Sequence, residues 1–194
     1  MLSKLSSKIC IRLIRAKALR EDEYELYQYG FFLLLSHIVY ILVTLLLGLA
    51  FHCILEMVIF YIAFSSIREY AGGFHADTEM RCEIITTLSF LGVAFLISAS
   101  ENTVVQFTAL IASALAGIVV FILSPLDTAA KPLDREEKKK YRKISLLILV
   151  AIVCTIGISL ILKLKFLWMP CCLSLMLEAA LLVAGKIKGD LVKT

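Results

Sequence analysis

His75 and Cys82 are the residues of this 194-residue chain that packing explains least well. An imidazole can take a thiol proton and leave a thiolate, the nucleophile of covalent cysteine catalysis. Both lie in the segment Arg68–Cys82, where five charged residues and the pair Gly72-Gly73 also stand between two apolar runs. On one continuous helix a separation of seven residues puts two side chains on one face, but about 10.5 Å apart along the axis. A hydrogen bond needs about 3 Å. The spacing therefore predicts that the chain turns between them. Gly72 and Gly73 permit sharp backbone geometry, and Asp77 or Thr78 can cap a helix that follows. Cys82 would then occupy the first turns of that helix, where the dipole favours a thiolate.

Other roles in the segment stay open. Asp77, Glu79 or Glu83 could orient the imidazole, as the third member of a triad does, and each also suits a cap or a surface charge. Arg68 could stabilise an oxyanion, bind a substrate carboxylate or simply anchor a helix end at the membrane boundary. A solvated loop would carry the same charges. A zinc site would have to draw on His37, His52 or Cys53, which lie in or near apolar runs. No metal and no cofactor is therefore expected.

The elements that must position this segment are membrane helices. The chain is 60% hydrophobic, well above the 45–50% of an ordinary soluble domain, and its mean hydropathy is +0.91. Apolar runs extend over Phe31–Phe51, Cys53–Ile67, Ile84–Ser98, Thr103–Leu123, Ile144–Leu162 and Phe166–Gly185. A helix satisfies its own backbone polar groups in lipid, so these runs predict an all-α polytopic bundle of about six transmembrane helices. The second and third runs hold 15 residues each, short of the usual lower limit of about 17. They flank the polar segment, so part of that segment is expected to enter the membrane. Pro170 should begin or kink the last span.

Residues 1–29 read as an amphipathic interfacial helix and not as a signal peptide. Leu2, Leu5, Ile9, Leu13 and Ala16 recur at helical spacing, with Lys4, Lys8, Arg12 and Arg15 on other faces. Residues 68–82 are the candidate catalytic segment and 124–143 a basic loop, all within one domain covering 1–194. With six spans and a cytoplasmic N-terminus, eighteen of the twenty basic residues fall inside, leaving only Lys163 and Lys165 outside. Both termini and the Arg68–Cys82 segment are then cytoplasmic, and the net charge of +4 records topology and lipid contact, not nucleic-acid binding. The six cysteines show no CxxC pairing and read mostly as small buried hydrophobes.

The pattern Arg68-x3-Gly72-Gly73-x-His75-Ala76-x5-Cys82 between two apolar runs resembles the accessory gene regulator B (AgrB) family of bacterial membrane peptidases. The stretch from Ser124-Pro125-Leu126-Asp127 through Lys131-Pro132-Leu133 is similar to that family's second polar loop. The resemblance implies a cysteine endopeptidase of the bacterial cell membrane that processes a quorum-sensing propeptide. Cys82 would be the nucleophile and His75 its general base, while Arg68, Gly72 and Gly73 match recurring positions. A thioester with the enzyme would be captured within the peptide as a thiolactone or lactone. The resemblance also implies homodimerisation. The basic loop, with Lys138, Lys139 and Lys140, suits the acidic tail of such a propeptide. Glu56 and Glu178, inside apolar runs, keep a small transporter or peptide exporter without covalent chemistry as the alternative. A structural membrane partner with no turnover is a third reading.

Overall fold

The computed structural model describes residues 2–16, 18–74, 76, 78–127 and 134–193. Seven helices follow one another: α1 Leu2–Arg15, α2 Tyr24–Ala50, α3 Ile54–Ala71, α4 Glu79–Ser98, α5 Thr103–Leu123, α6 Arg135–Ile161 and α7 Lys165–Lys193. Five of them, all but α1 and α3, are long and apolar enough to cross a membrane. Helix α3 carries Glu56, Arg68 and Glu69, yet its 18 residues span about 27 Å, close to a hydrocarbon thickness of about 30 Å. The short apolar runs are thus explained. Helix α3 continues beyond Ile67 into the polar segment, and α4 starts inside it.

Local chemistry sets the helix starts. Thr78 caps α4, its hydroxyl accepting the amide of Arg81 at 3.3 Å. Asn102 caps α5 through the amide of Val104 at 2.8 Å. Asp134 opens α6 with a capping box: its carboxylate accepts the amides of Glu136 and Glu137, each at 2.7 Å, and Glu137 accepts the amide of Asp134 at 3.2 Å. Pro170 lies inside α7, five residues beyond its first residue, so it interrupts the first turns and does not begin the helix.

The helices after α1 alternate in direction between two ends. At one end, Lys165 pairs with Glu101 at 2.5 Å, bringing together the α4–α5 and α6–α7 connections. At the other, the amide of Leu126 donates to the carbonyl of Ala71 and that of Phe74 to Leu181, both at 2.8 Å. The first residues of the α3–α4 and α5–α6 connections and the second half of α7 therefore form one layer. Helix α7 is the hub, packed on α3, α5 and α6, and is buried from Trp168 through Leu175. That suits a helix apolar on nearly every face. Phe60 and Phe64 of α3 close on Phe90 of α4, with ring centroids 5.2 and 5.8 Å away, both edge to face.

The N-terminal region differs from its expected form in two ways. The amphipathic helix ends at Arg15, and a short 3-10 turn over Glu21–Glu23 leads into α2. Its acidic residues suit the positive end of the α2 dipole. The face of α1 turned to the protein is Leu2, Ser6 and Cys10, whereas Leu5 is 46% exposed. Small side chains let α1 approach α2 closely, where Ser7 and the Tyr24 hydroxyl share a hydrogen bond of 2.8 Å. Leu5 and Ile11 are left exposed on the outer side.

Candidate active site

Arg68 stands in the last turn of α3. Its guanidinium donates to the carbonyl of Gly72, and from Nη2 to the carbonyl of Phe74 at 2.6 Å. The chain can fold back over its own helix end because Gly72 and Gly73 adopt φ of +77° and +130°, a region closed to most side chains. Space demands glycine as well. A Cβ on Gly72 would meet the carbonyl oxygen of Leu126 at 2.8 Å, and one on Gly73 would overlap the Arg68 guanidinium.

Residues 72–74 thus form a strap between two neighbours. On one side lies Leu126, bonded to Ala71; on the other lies α7, where Leu181 accepts the Phe74 amide. The approach to α7 is close enough that a Cβ on Gly185 would stand 2.7 Å from the nitrogen of Phe74. The Lys188 ammonium lies 5.3 Å from the centre of the Phe74 ring. His75 and Asp77, the expected base and one of its possible orienting carboxylates, lie outside the described residues.

Beyond them α4 begins at Glu79 with Thr78, one of the two expected caps, at its start; the turn expected between His75 and Cys82 falls partly on residues outside those described. Cys82 is the fourth residue of α4, half-buried, with a free thiol. Its amide donates to the carbonyl of Thr78 at 3.1 Å. Of the other possible orienting carboxylates, Glu79 faces Ser3 of α1, whose polar groups hold its carboxyl below the usual carboxylate range. One oxygen of Glu83 is buried without a hydrogen-bond partner.

Two residues join this cluster that the sequence did not assign to it. Tyr40 of α2 faces Thr86, one turn beyond Cys82, within electrostatic reach of Cys82, Glu83 and Arg68. A tyrosine in an apolar run gives no sign of this. Glu178 of α7 is fully buried, and neither carboxylate oxygen has a hydrogen-bond partner. It lies 3.9 Å from Nη1 of Arg68. Its position inside an apolar run was the signal, but not its partner. Glu56 lies in the first turn of α3, about 18 Å along the axis from Arg68, so the two acids weighed for a transport path sit near opposite ends of the bundle.

The basic loop is tied to the same layer. The Arg142 guanidinium donates to the carbonyl of Ser124, and the hydroxyls of Ser124 and Ser145 are 2.6 Å apart. Arg135, Lys138, Lys139 and Arg142 line an open cleft with Ile122, Leu123 and Pro125. Lys138 also pairs with Asp127 at 3.8 Å. Lys140 is exposed outside that cleft. Of the three lysines singled out, two share a face and the third does not. Among the described residues, no three His, Cys, Asp or Glu side chains form a group able to hold a metal ion.

Residues 6–182 match the family model described as Accessory gene regulator B. A putative AgrB-like protein 2 of Clostridium perfringens is 29% identical over 148 residues, covering 74% of this chain and 69% of that protein. A putative AgrB-like protein of Lactiplantibacillus plantarum is 24% identical over 74% of this chain and 71% of its own length. The accessory gene regulator protein B of Staphylococcus epidermidis is 27% identical over 60% of this chain and 58% of its own. No solved structure matches. With the family model covering most of its length, the chain belongs to the accessory gene regulator B family, and so to the quorum-sensing system that family serves.

Proposed function

We propose that the chain is a membrane cysteine endopeptidase that removes the C-terminal tail of a propeptide and assists cyclisation of what remains. The observation that carries this reading is the pairing of a capped helix start bearing Cys82 with a strap, held by Arg68, that runs directly into His75. His75 takes the Cys82 proton, and the thiolate attacks the carbonyl carbon that joins core to tail. A C–S bond forms and the C–N bond breaks. The imidazolium returns its proton to the leaving amine, so the tail departs and a thioester remains. A Cys thiol or Ser hydroxyl within the peptide then attacks the thioester carbonyl. The new ring bond forms, Cys82 leaves as thiolate, and His75 receives the proton of the attacking group. Exchange of one thioester for another is nearly isoenergetic, so exclusion of water favours cyclisation over hydrolysis.

The reading places this layer at the cytoplasmic face, with both termini and most basic residues. The leader of the propeptide would lie on the membrane beside α1, and its acidic tail would meet the basic cleft of α6. A second copy of the chain is the remaining implied partner.

The test is to trap an acyl group on Cys82 after mixing purified protein with a synthetic peptide carrying an amphipathic leader, a cysteine-containing core and an acidic tail. Mass spectrometry should find the thioester in the wild type and not in Cys82→Ala, and His75→Ala should slow its formation by about 100-fold or more. Normal processing by Cys82→Ala would end the peptidase reading.

A further inference from the structure

We propose that Glu178 is a positioning residue for this chemistry, holding Arg68 in place so that the strap delivers His75 to Cys82; the inference rests on the peptidase reading. The two side chains come from helices far apart in sequence, α3 and α7, and meet beneath the strap. Arg68 directs its donors at the carbonyls of Gly72 and Phe74 and not at the carboxylate. Glu178 remains 3.9 Å away, too far for a hydrogen bond but near enough to act as a counter-charge. Among the described residues it is the one carboxylate within ion-pair distance of Arg68.

A pair that only joined helices would turn its guanidinium fork onto the carboxylate. Here the fork is spent on the backbone, and the acid compensates the charge from 3.9 Å away. The Phe74 carbonyl belongs to the peptide unit that leads into His75. Because that unit is planar, fixing its oxygen restricts the direction in which the chain leaves Phe74. Full burial of Glu178 without hydrogen bonds is costly for packing alone. It is intelligible if the carboxylate serves the cation that grips the strap. Removing the carboxylate leaves that cation uncompensated in an apolar bundle, free to turn toward water and release both carbonyls.

The test reads Cys82 directly, without a peptide. The full-length chain in phospholipid vesicles is treated with iodoacetamide across a pH series, and alkylation of Cys82 is followed by mass spectrometry. His75→Ala defines the profile without the base, about tenfold or more slower near neutral pH. Glu178→Gln should reproduce that profile, and Glu178→Asp should restore part of the wild-type rate. Arg68→Leu/Glu178→Leu removes both charges together, which buried pairs often tolerate, and decides the matter should Glu178→Gln fail to fold. It too should show the slow profile, because both strap carbonyls have lost their donor. A wild-type profile in Glu178→Gln or in the folded double variant overturns the proposal. If His75→Ala itself alkylates like the wild type, the peptidase reading fails instead.

Discussion

The amide of Leu126 donates to the carbonyl of Ala71 at 2.8 Å, so the two polar loops of this bundle act as one structure. The Gly72-Gly73 turn lies directly beneath the second loop, and a change at the turn must be felt in both. Gly72 has φ +77° and ψ −149°, a region nearly confined to glycine that costs other residues about 1–3 kcal/mol. The Leu126 carbonyl, 2.8 Å from where a Cβ would sit, is backbone and cannot swing aside. Gly72→Ala should lower both the unfolding temperature in detergent and the rate of Cys82 acylation. Unchanged acylation would mean the turn can move without consequence for the thiol.

Gly185 separates stability from activity. In an open helix, Gly→Ala adds about 1 kcal/mol of stability. Here the added methyl would press on the nitrogen of Phe74 and the carbonyl carbon of Gly73, at 2.7 and 2.8 Å. The strap should be displaced from Leu181 and the acylation rate should fall by about tenfold or more, while the helical circular dichroism is retained. Gly189, with nothing within 4 Å of its Cβ position, is the control, and Gly189→Ala should leave the rate alone.

The parts of this arrangement that could be read from sequence are the local ones. Thr78 is one of the two expected caps, whereas the turn expected between His75 and Cys82 falls partly on residues outside those described. The second apolar run looked too short for a span because Arg68 and Glu69 end it after Ile67. The helix runs on through them because Arg68 finds its partners in the strap and in Glu178. Those partners are tertiary, and no local pattern announces them. Leu181 and Gly185 reach the strap from more than a hundred positions downstream, and Tyr40 reaches Thr86 from another helix. The protein-facing side of α1 escaped for a related reason. Hydrophobicity marks what avoids water, but in a bilayer it does not separate contact with lipid from contact with protein, and small Ser6 and Cys10 took the inner face.

The basic cleft makes a prediction finer than charge counting does. Arg135, Lys138, Lys139 and Arg142 share one face of α6, where an acidic tail would meet several cations at once. Lys138→Gln/Lys139→Gln should raise KM for the acid-tailed peptide several-fold, an effect that shrinks as salt screens the field over about 8–10 Å. Lys140→Gln, outside the cleft, should do little. Equal effects from the two variants would show that net charge alone matters. Unchanged cleavage in vesicles at physiological salt with all three lysines neutralised would remove the cleft from tail recognition.

Thiol accessibility tests which face of the membrane holds the site. Cys10, Cys53, Cys171 and Cys172 are buried, and Cys154 is exposed in the middle of α6, where lipid would surround it. Cys82 stands alone in being half-exposed at a helix start. Replacing the other five with Ala leaves one thiol, and it should keep the acylation activity because none of the five belongs to the cluster around Arg68. A membrane-impermeant maleimide should then label inside-out vesicles and spare right-side-out ones. Labelling from the outer face would invert the proposed topology and move propeptide processing to the other side of the membrane. The eighteen basic residues assigned to the inside would oppose that inversion, since each additional Lys or Arg left on the cytoplasmic side biases insertion the same way.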